Sequence, residues 1–175
     1  MVAETEEMER HVVSGVSLDK GEAKLSVLDV PDVPGTAAKL FGPLADRGIN
    51  VDMIVQSVGA NGLNTISFTV PESDLKAALK TAKKIGAELG ARGVECDPAI
   101  AKISAVGVGM RSHSGVAARM FQALGDAGIN IHMISTSEIK ISCVVDASRG
   151  EEALRIVHDA FELSKLTVEQ GTGKS

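Results

Sequence analysis

Two stretches of the chain decide its fold: GTAAKLFGPLADRGINVDMIVQS at residues 35–57 and GVAARMFQALGDAGINIHMISTS at residues 115–137. They align without a gap, and about half of their positions are identical. A repeat with a period of about 80 residues, in a chain of 175, indicates a duplication rather than a chance match. We therefore interpret the chain as two copies of one folding unit.

Each copy shows the same order of predicted elements. An apolar run, AKLSVLDV or AKISAVGV, has the composition of a strand and is followed by a loop and a segment with apolar residues at helical spacing. Gly48 and Gly128 end these first helices, since glycine suits a left-handed cap. Two more strands follow, and then a second helix from residue 73 to about 90, or from 149 to about 163. The run GVECD adds a sixth element to the first copy, so the pattern predicts an α+β fold of two ferredoxin-like (βαββαβ) units.

The second copy needs a final strand, and two segments could supply it. One is the N-terminal run HVVSGVSLD, which precedes the first copy; the other is KLTVEQ, which follows the last helix. We favour the N-terminal run, and this choice makes the first unit an insertion in the second. The predicted organisation is a disordered tail at 1–10, a first domain at 21–98, a second domain at 11–20 plus 99–166, and a flexible tail at 167–175.

Composition argues against several classes of function. The chain has 18 basic and 23 acidic residues, four Phe and neither Tyr nor Trp, so it lacks the basic surface and the stacking aromatics of nucleic-acid-binding proteins. No apolar run approaches the roughly 18 residues that span a membrane. The two cysteines, Cys96 and Cys143, have no metal-ligand spacing and lie in strand-like runs. We interpret both as buried free thiols in a protein of the reducing cytoplasm.

Catalytic signatures are also missing from the sequence. There is no phosphate-binding GxxxxGK[ST] loop and no GxSxG nucleophile motif. The four histidines are too scattered to indicate a metal site. The glycines of the run GVGM lack the third glycine of a dinucleotide-binding motif, and we interpret them as a close-packed strand end. We therefore predict no catalytic residue, no metal and no cofactor in this chain, and favour a binding function.

The loop before the first helix is the best candidate for binding. The start of a helix offers unpaired N–H groups and a positive dipole end, which suit a carboxylate, and Asp32 could accept from an ammonium group. A small amino acid carries both charges. The alternative, which the residues alone favour, is that Asp32 only caps the helix. In the second copy Ser112 replaces Asp32 and Thr136 replaces Gln56, so the two copies should differ in affinity or effector.

Two further motifs carry a family resemblance. The runs GVGMRSHSG at 107–115 and STSEIKIS at 135–142, together with the two repeats, resemble the paired ACT domains of aspartate kinase over about residues 11–165. The catalytic domain that precedes this region in the family is absent from this sequence. The chain thus resembles the regulatory β subunit of a heterotetrameric aspartate kinase, or an excised regulatory region.

The resemblance implies a function and a site. Aspartate kinases phosphorylate aspartate with ATP, and their ACT pairs bind end-product threonine, lysine or both and inhibit the enzyme. The resemblance also implies a homodimer that associates with a catalytic aspartate kinase chain. This homodimer would bind threonine where the first unit of one copy meets the second unit of another. The residues that match are Asp32, Gly35, Ala37 and Gln56 from the first unit, and Asn130 and Ile131 from the second unit of the other copy.

Other interpretations stay open. Met110, Ser112 and His113 could hold a second effector or form only a structural loop. The chain could also be a free-standing ACT-domain amino-acid sensor, or a purely structural dimerisation module whose site is vestigial.

Overall fold

The computed structural model describes residues 13–107 and 114–161. The strands are β1 (Val13–Pro31), β2 (Ile54–Val58), β3 (Leu63–Pro71), β4 (Gly93–Gly107), β5 (Met133–Thr136) and β6 (Lys140–Asp146). The helices are α1 (Thr36–Asp46), α2 (Leu75–Leu89), α3 (Ser114–Asp126) and α4 (Gly150–Ala160). The α+β prediction is confirmed. In the described ranges no helix is both long and apolar enough to cross a membrane.

The described residues form two compact units. Residues 21–100 form the first-copy unit, and residues 13–20 with 101–161 form the second-copy unit. One division falls inside β1, and the other falls inside β4. The sequence patterns predict separate strands for HVVSGVSLD and AKLSVLDV, and likewise for GVECD and AKISAVGV. That separation is wrong, because the backbone stays extended through Gly21 and through Pro98.

The first-copy unit has strand order β2-β3-β1-β4, with β1 and β2 both antiparallel to β3. Alternate residues of β1 and β3 point to the side that α1 and α2 cover, as the period of two along a strand requires. Phe41 of α1 packs edge-on against Phe68 of β3, with ring centroids 5.2 Å apart. The helical spacing predicted for α1 is confirmed in its core residues. The main buried side chains are Leu25, Val27, Leu40, Leu44, Ile66, Phe68 and Val70.

The second-copy unit repeats this plan with strand order β1-β4-β6-β5. Here β1 contributes only residues 13–20. The Ser14 hydroxyl donates to the carbonyl of Val106 in β4 at 3.1 Å, and Val13 lies in the core, 1% exposed. The alternative strand KLTVEQ lies outside the described residues. The other core side chains include Ile103, Met120, Leu124, Cys143, Val145, Val157 and Phe161.

The two cysteines differ in environment. Cys143 is buried on β6, and its burial raises the pKa of the thiol to about 12. Cys96 is exposed, so the prediction that it is buried is wrong. It lies on β4, which is the last strand in the order of the first-copy unit. On this part of β4, Val94 packs against the core and Cys96 does not. Partial burial and the nearby Asp97 raise the pKa of Cys96.

Candidate functional site

An open pocket of about 120 Å³ lies in the first-copy unit, where the end of β1 and the start of α1 meet β2 and β3. All four residues that the sequence analysis assigned to this unit's site line it: Asp32, Gly35, Ala37 and Gln56. Three come from the loop and first turn of α1, and the fourth comes from β2. The structure therefore brings this part of the predicted site together in one place.

Hydrogen bonds hold the loop between β1 and α1 in a defined shape. The N–H of Asp32 donates to the Gly62 carbonyl at 2.8 Å. The Thr36 hydroxyl lies 3.0 Å from each of two loop carbonyls, those of Pro31 and Val33, and donates its one proton to them as a bifurcated hydrogen bond. Gly35 has φ +92°, a left-handed conformation that costs an L-residue about 1–2 kcal/mol. Glycine at this position lets the chain turn into the helix without strain.

The start of α1 is left without a side-chain cap. Gly35 is the N-cap residue, and no side chain among the described residues bonds to the first turn. Within the described part of the chain, the N–H groups of Ala37 and Ala38 have no hydrogen-bond acceptor. The side chain of Asp32 is exposed and forms no hydrogen bond or ion pair with any described residue. The alternative that Asp32 merely caps the helix is therefore wrong, and two donors, a dipole end and a carboxylate are available to a ligand.

The sheet side of the pocket contains a residue that the sequence analysis missed. Asn64 ends the run GANGLN at residues 59–64, whose composition is typical of a turn, but it belongs to β3 and is only 2% exposed. Its Oδ1 is buried and has no hydrogen-bond partner in the part of the chain that the structure describes. The signal that could have found it is the alternation of Asn64, Ile66 and Phe68, which places the amide on the core-facing side of the strand.

A β-bulge sets which residue of β1 faces the pocket. The register against β3 shifts by one residue between Val27 and Val30, so that Val30 lies opposite Asn64. Asp29 in the bulge has φ +54°, and its Oδ2 accepts from Arg92 Nε at 2.6 Å. This carboxylate raises the pKa of Arg92. Bulges bend a strand and redirect its side chains, and here the bulge brings an apolar side chain to the pocket floor.

Comparisons with known proteins place the chain in a family. Models of the ACT domain match residues 25–87 and 103–161. The crystal structure of the regulatory subunit of aspartate kinase from Thermus thermophilus is 45% identical, with a TM-score of 0.81 over 86% of this chain and 99% of that one. The chain belongs to the regulatory ACT-domain region of the aspartate kinases. The predicted pair of ACT domains is confirmed.

Two other relatives support this membership. A chain in a crystal structure of aspartokinase alpha and beta subunits is 47% identical, with a TM-score of 0.80, over 86% of this chain and 99% of that one. An aspartate kinase of Stutzerimonas stutzeri is 50% identical over 160 residues, which is 91% of this chain and 39% of that protein. The chain thus spans about two fifths of the length of the curated aspartate kinases that it matches.

The remaining predicted residues lie elsewhere in this regulatory region. Asn130 is exposed and Ile131 is half-buried, in the second-copy unit between α3 and β5. Their contribution to a site in another copy stays a prediction. The proposed second-effector residues, Met110, Ser112 and His113, lie outside the described residues.

The Thr36 hydroxyl provides a direct test of how the loop is held in this ACT domain. Thr36→Val keeps the shape of the side chain but removes its bonds to two loop carbonyls. We expect a loss of about 0.5–1.5 kcal/mol in the free energy of unfolding, measured by urea titration.

The second copy offers a matched control, because a fully buried Val116 occupies the equivalent position. Val116→Thr puts a hydroxyl into that core and should cost about 1–3 kcal/mol. An unchanged urea midpoint in Thr36→Val would show that the hydroxyl does not stabilise the loop.

Proposed function

We propose that this chain is the feedback-inhibition subunit of an aspartate kinase, and that it binds the end product threonine in the pocket of its first ACT domain. The observation that carries the proposal is that an uncapped helix start and a carboxylate with no partner among the described residues lie at one pocket. The catalytic activity then belongs to another polypeptide, which this chain inhibits when threonine is bound.

The charges at the pocket match those of an α-amino acid. The free N–H groups of Ala37 and Ala38 and the positive end of the α1 dipole suit the ligand's carboxylate. The Asp32 carboxylate suits its ammonium group, as a charge-assisted hydrogen bond. The side chain of a bound amino acid then falls toward β2 and β3, where Gln56 and Asn64 lie. A small polar side chain such as that of threonine fits these surroundings, and lysine is the second candidate by family resemblance.

Exposed apolar side chains around the pocket support a site completed by a second copy. Val33 at the pocket is 57% exposed, and on β2 Ile54 and Val58 are 54% and 79% exposed. Apolar side chains clustered at a polar site often mark an interface. We propose that a second copy covers them in a homodimer and contributes Asn130 and Ile131. The relative that was crystallised as alpha and beta subunits supports a catalytic partner chain as well.

Threonine titration with three readouts tests this function. Calorimetry should show binding to the chain alone, sedimentation should show that threonine strengthens the dimer, and kinase assays with the catalytic chain should show inhibition. Binding without any association with a kinase chain would instead favour a free-standing sensor. A dimer that binds no amino acid would favour a purely structural module.

A further inference from the structure

The floor of the pocket holds a polar group that the described residues leave unsatisfied. Asn64 is 2% exposed, it lines the pocket, and its buried Oδ1 has no hydrogen-bond partner among residues 13–107 and 114–161. Buried amide atoms are nearly always paired in native proteins, because an unpaired one is costly. Such a group at a ligand pocket is explained most simply if a ligand pairs with it.

The neighbours of Asn64 are apolar. Val30, its partner on β1, is fully buried, and Ile66, two residues along the same face of β3, is 2% exposed. Both also line the pocket. The floor therefore offers one amide between two aliphatic side chains, which is complementary to a ligand group that has both a hydrogen-bonding atom and a methyl group.

A hydroxyl is the group that pairs best with this amide. The side chain of asparagine offers an acceptor oxygen and a donor NH₂, and a half-turn about its last torsion exchanges the two. A hydroxyl both donates and accepts, so it can pair with either arrangement, whereas an ammonium group only donates and a methyl group does neither. We infer that Asn64 is the specificity-determining residue of the pocket and selects an amino acid with a hydroxyl and a methyl group on its β-carbon. This inference rests on the proposed function, which places an amino acid in the pocket.

The two copies of the domain differ at this position. The strand pairs Gln56–Ile66 and Thr136–Ile141 are equivalent, so Asn64 corresponds to Ile139 in the second copy. Ile139 is 56% exposed and carries no hydrogen-bonding side-chain atom. Selection for a hydroxyl is therefore a property of the first ACT domain, and Ile139 provides a matched control position.

The test compares threonine with valine, in which a methyl group replaces the hydroxyl. Calorimetry is performed on the full chain as wild type, Asn64→Leu and Ile139→Leu. Wild type should bind threonine about 5- to 150-fold more tightly than valine, which corresponds to one buried polar group left unpaired. In Asn64→Leu the preference should fall to within a few-fold, because threonine binds more weakly while valine does not. Ile139→Leu should keep the wild-type preference.

The outcomes separate this inference from the proposed function. Wild-type selectivity that persists in Asn64→Leu overturns the role of Asn64 and leaves the amino-acid site standing. Wild type that binds neither ligand overturns the proposed function and this inference with it. Thermal unfolding without ligand provides a folding control, since removing a buried amide oxygen that has no partner among the described residues should not lower the midpoint. If Asn64→Leu does not fold, Asn64→Val, which is suited to a strand and has no hydrogen-bonding side-chain atom, takes its place in the same comparison.

Discussion

Asp32→Asn is expected to weaken threonine binding about 10- to 150-fold, a loss of about 1.5–3 kcal/mol. The substitution keeps the shape of the side chain but removes the negative charge that we place against the ligand's ammonium group. The Asp32 carboxylate forms no hydrogen bond or ion pair with a described residue, so removing its charge should leave no described protein group unpaired. The effect should therefore appear in binding rather than in folding.

Calorimetry measures the affinity, and a kinase assay with the catalytic chain measures the threonine concentration needed for inhibition. Asp46→Asn provides the control, because it makes the same change of net charge at the opposite end of α1. It should bind threonine like wild type. Equal affinity in Asp32→Asn and Asp46→Asn would remove Asp32 from the site.

Much of the fold could be predicted from local patterns. Leu40 and Leu44 recur at helical spacing and are buried as that spacing requires. The internal repeat reveals the duplication directly, since the second copy repeats the elements of the first. Local patterns do not show where a strand ends when the chain simply stays extended. For this reason the sequence patterns predict two strands in each of the segments where β1 and β4 run as single strands.

The site was only partly predictable, for a related reason. The role of Asp32 depends on where α1 begins, and the left-handed Gly35 sets that point. Because the neighbouring residues do not show this starting point, they favoured the interpretation of Asp32 as a helix cap, which is wrong. Asn64 reaches the pocket floor through pairing with β1, at a bulge that Asp29 and Arg92 stabilise. These pairings join residues distant in sequence. A single sequence shows an asparagine near a turn and cannot show that it is buried without a partner.

A chain that begins at Gly21, without the first part of β1, is expected to lose the second-copy unit and keep the first. The deleted segment contains Val13, which is fully packed in the second-copy core, and Val16 and Leu18, which pack against it. Burial of one such side chain contributes about 1.5–3 kcal/mol, and a whole domain is stable by only about 5–15 kcal/mol. The deletion also leaves the adjoining backbone of β4 without its neighbouring strand, as the Ser14–Val106 bond indicates. The exposed Lys20–Glu151 ion pair adds little to this loss.

Hydrogen exchange resolves the two units in one experiment. In the shortened chain, amides of α3 and β6 should exchange rapidly, while those of β3 and α2 should stay protected. In the full chain, Val13→Asp should reproduce much of this effect, since it puts a charge into the core. Ser14→Ala, at the exposed neighbouring position, should not. Equal protection of both units in the shortened chain, or loss of both, would show that residues 13–20 are not a specific structural part of the second ACT domain.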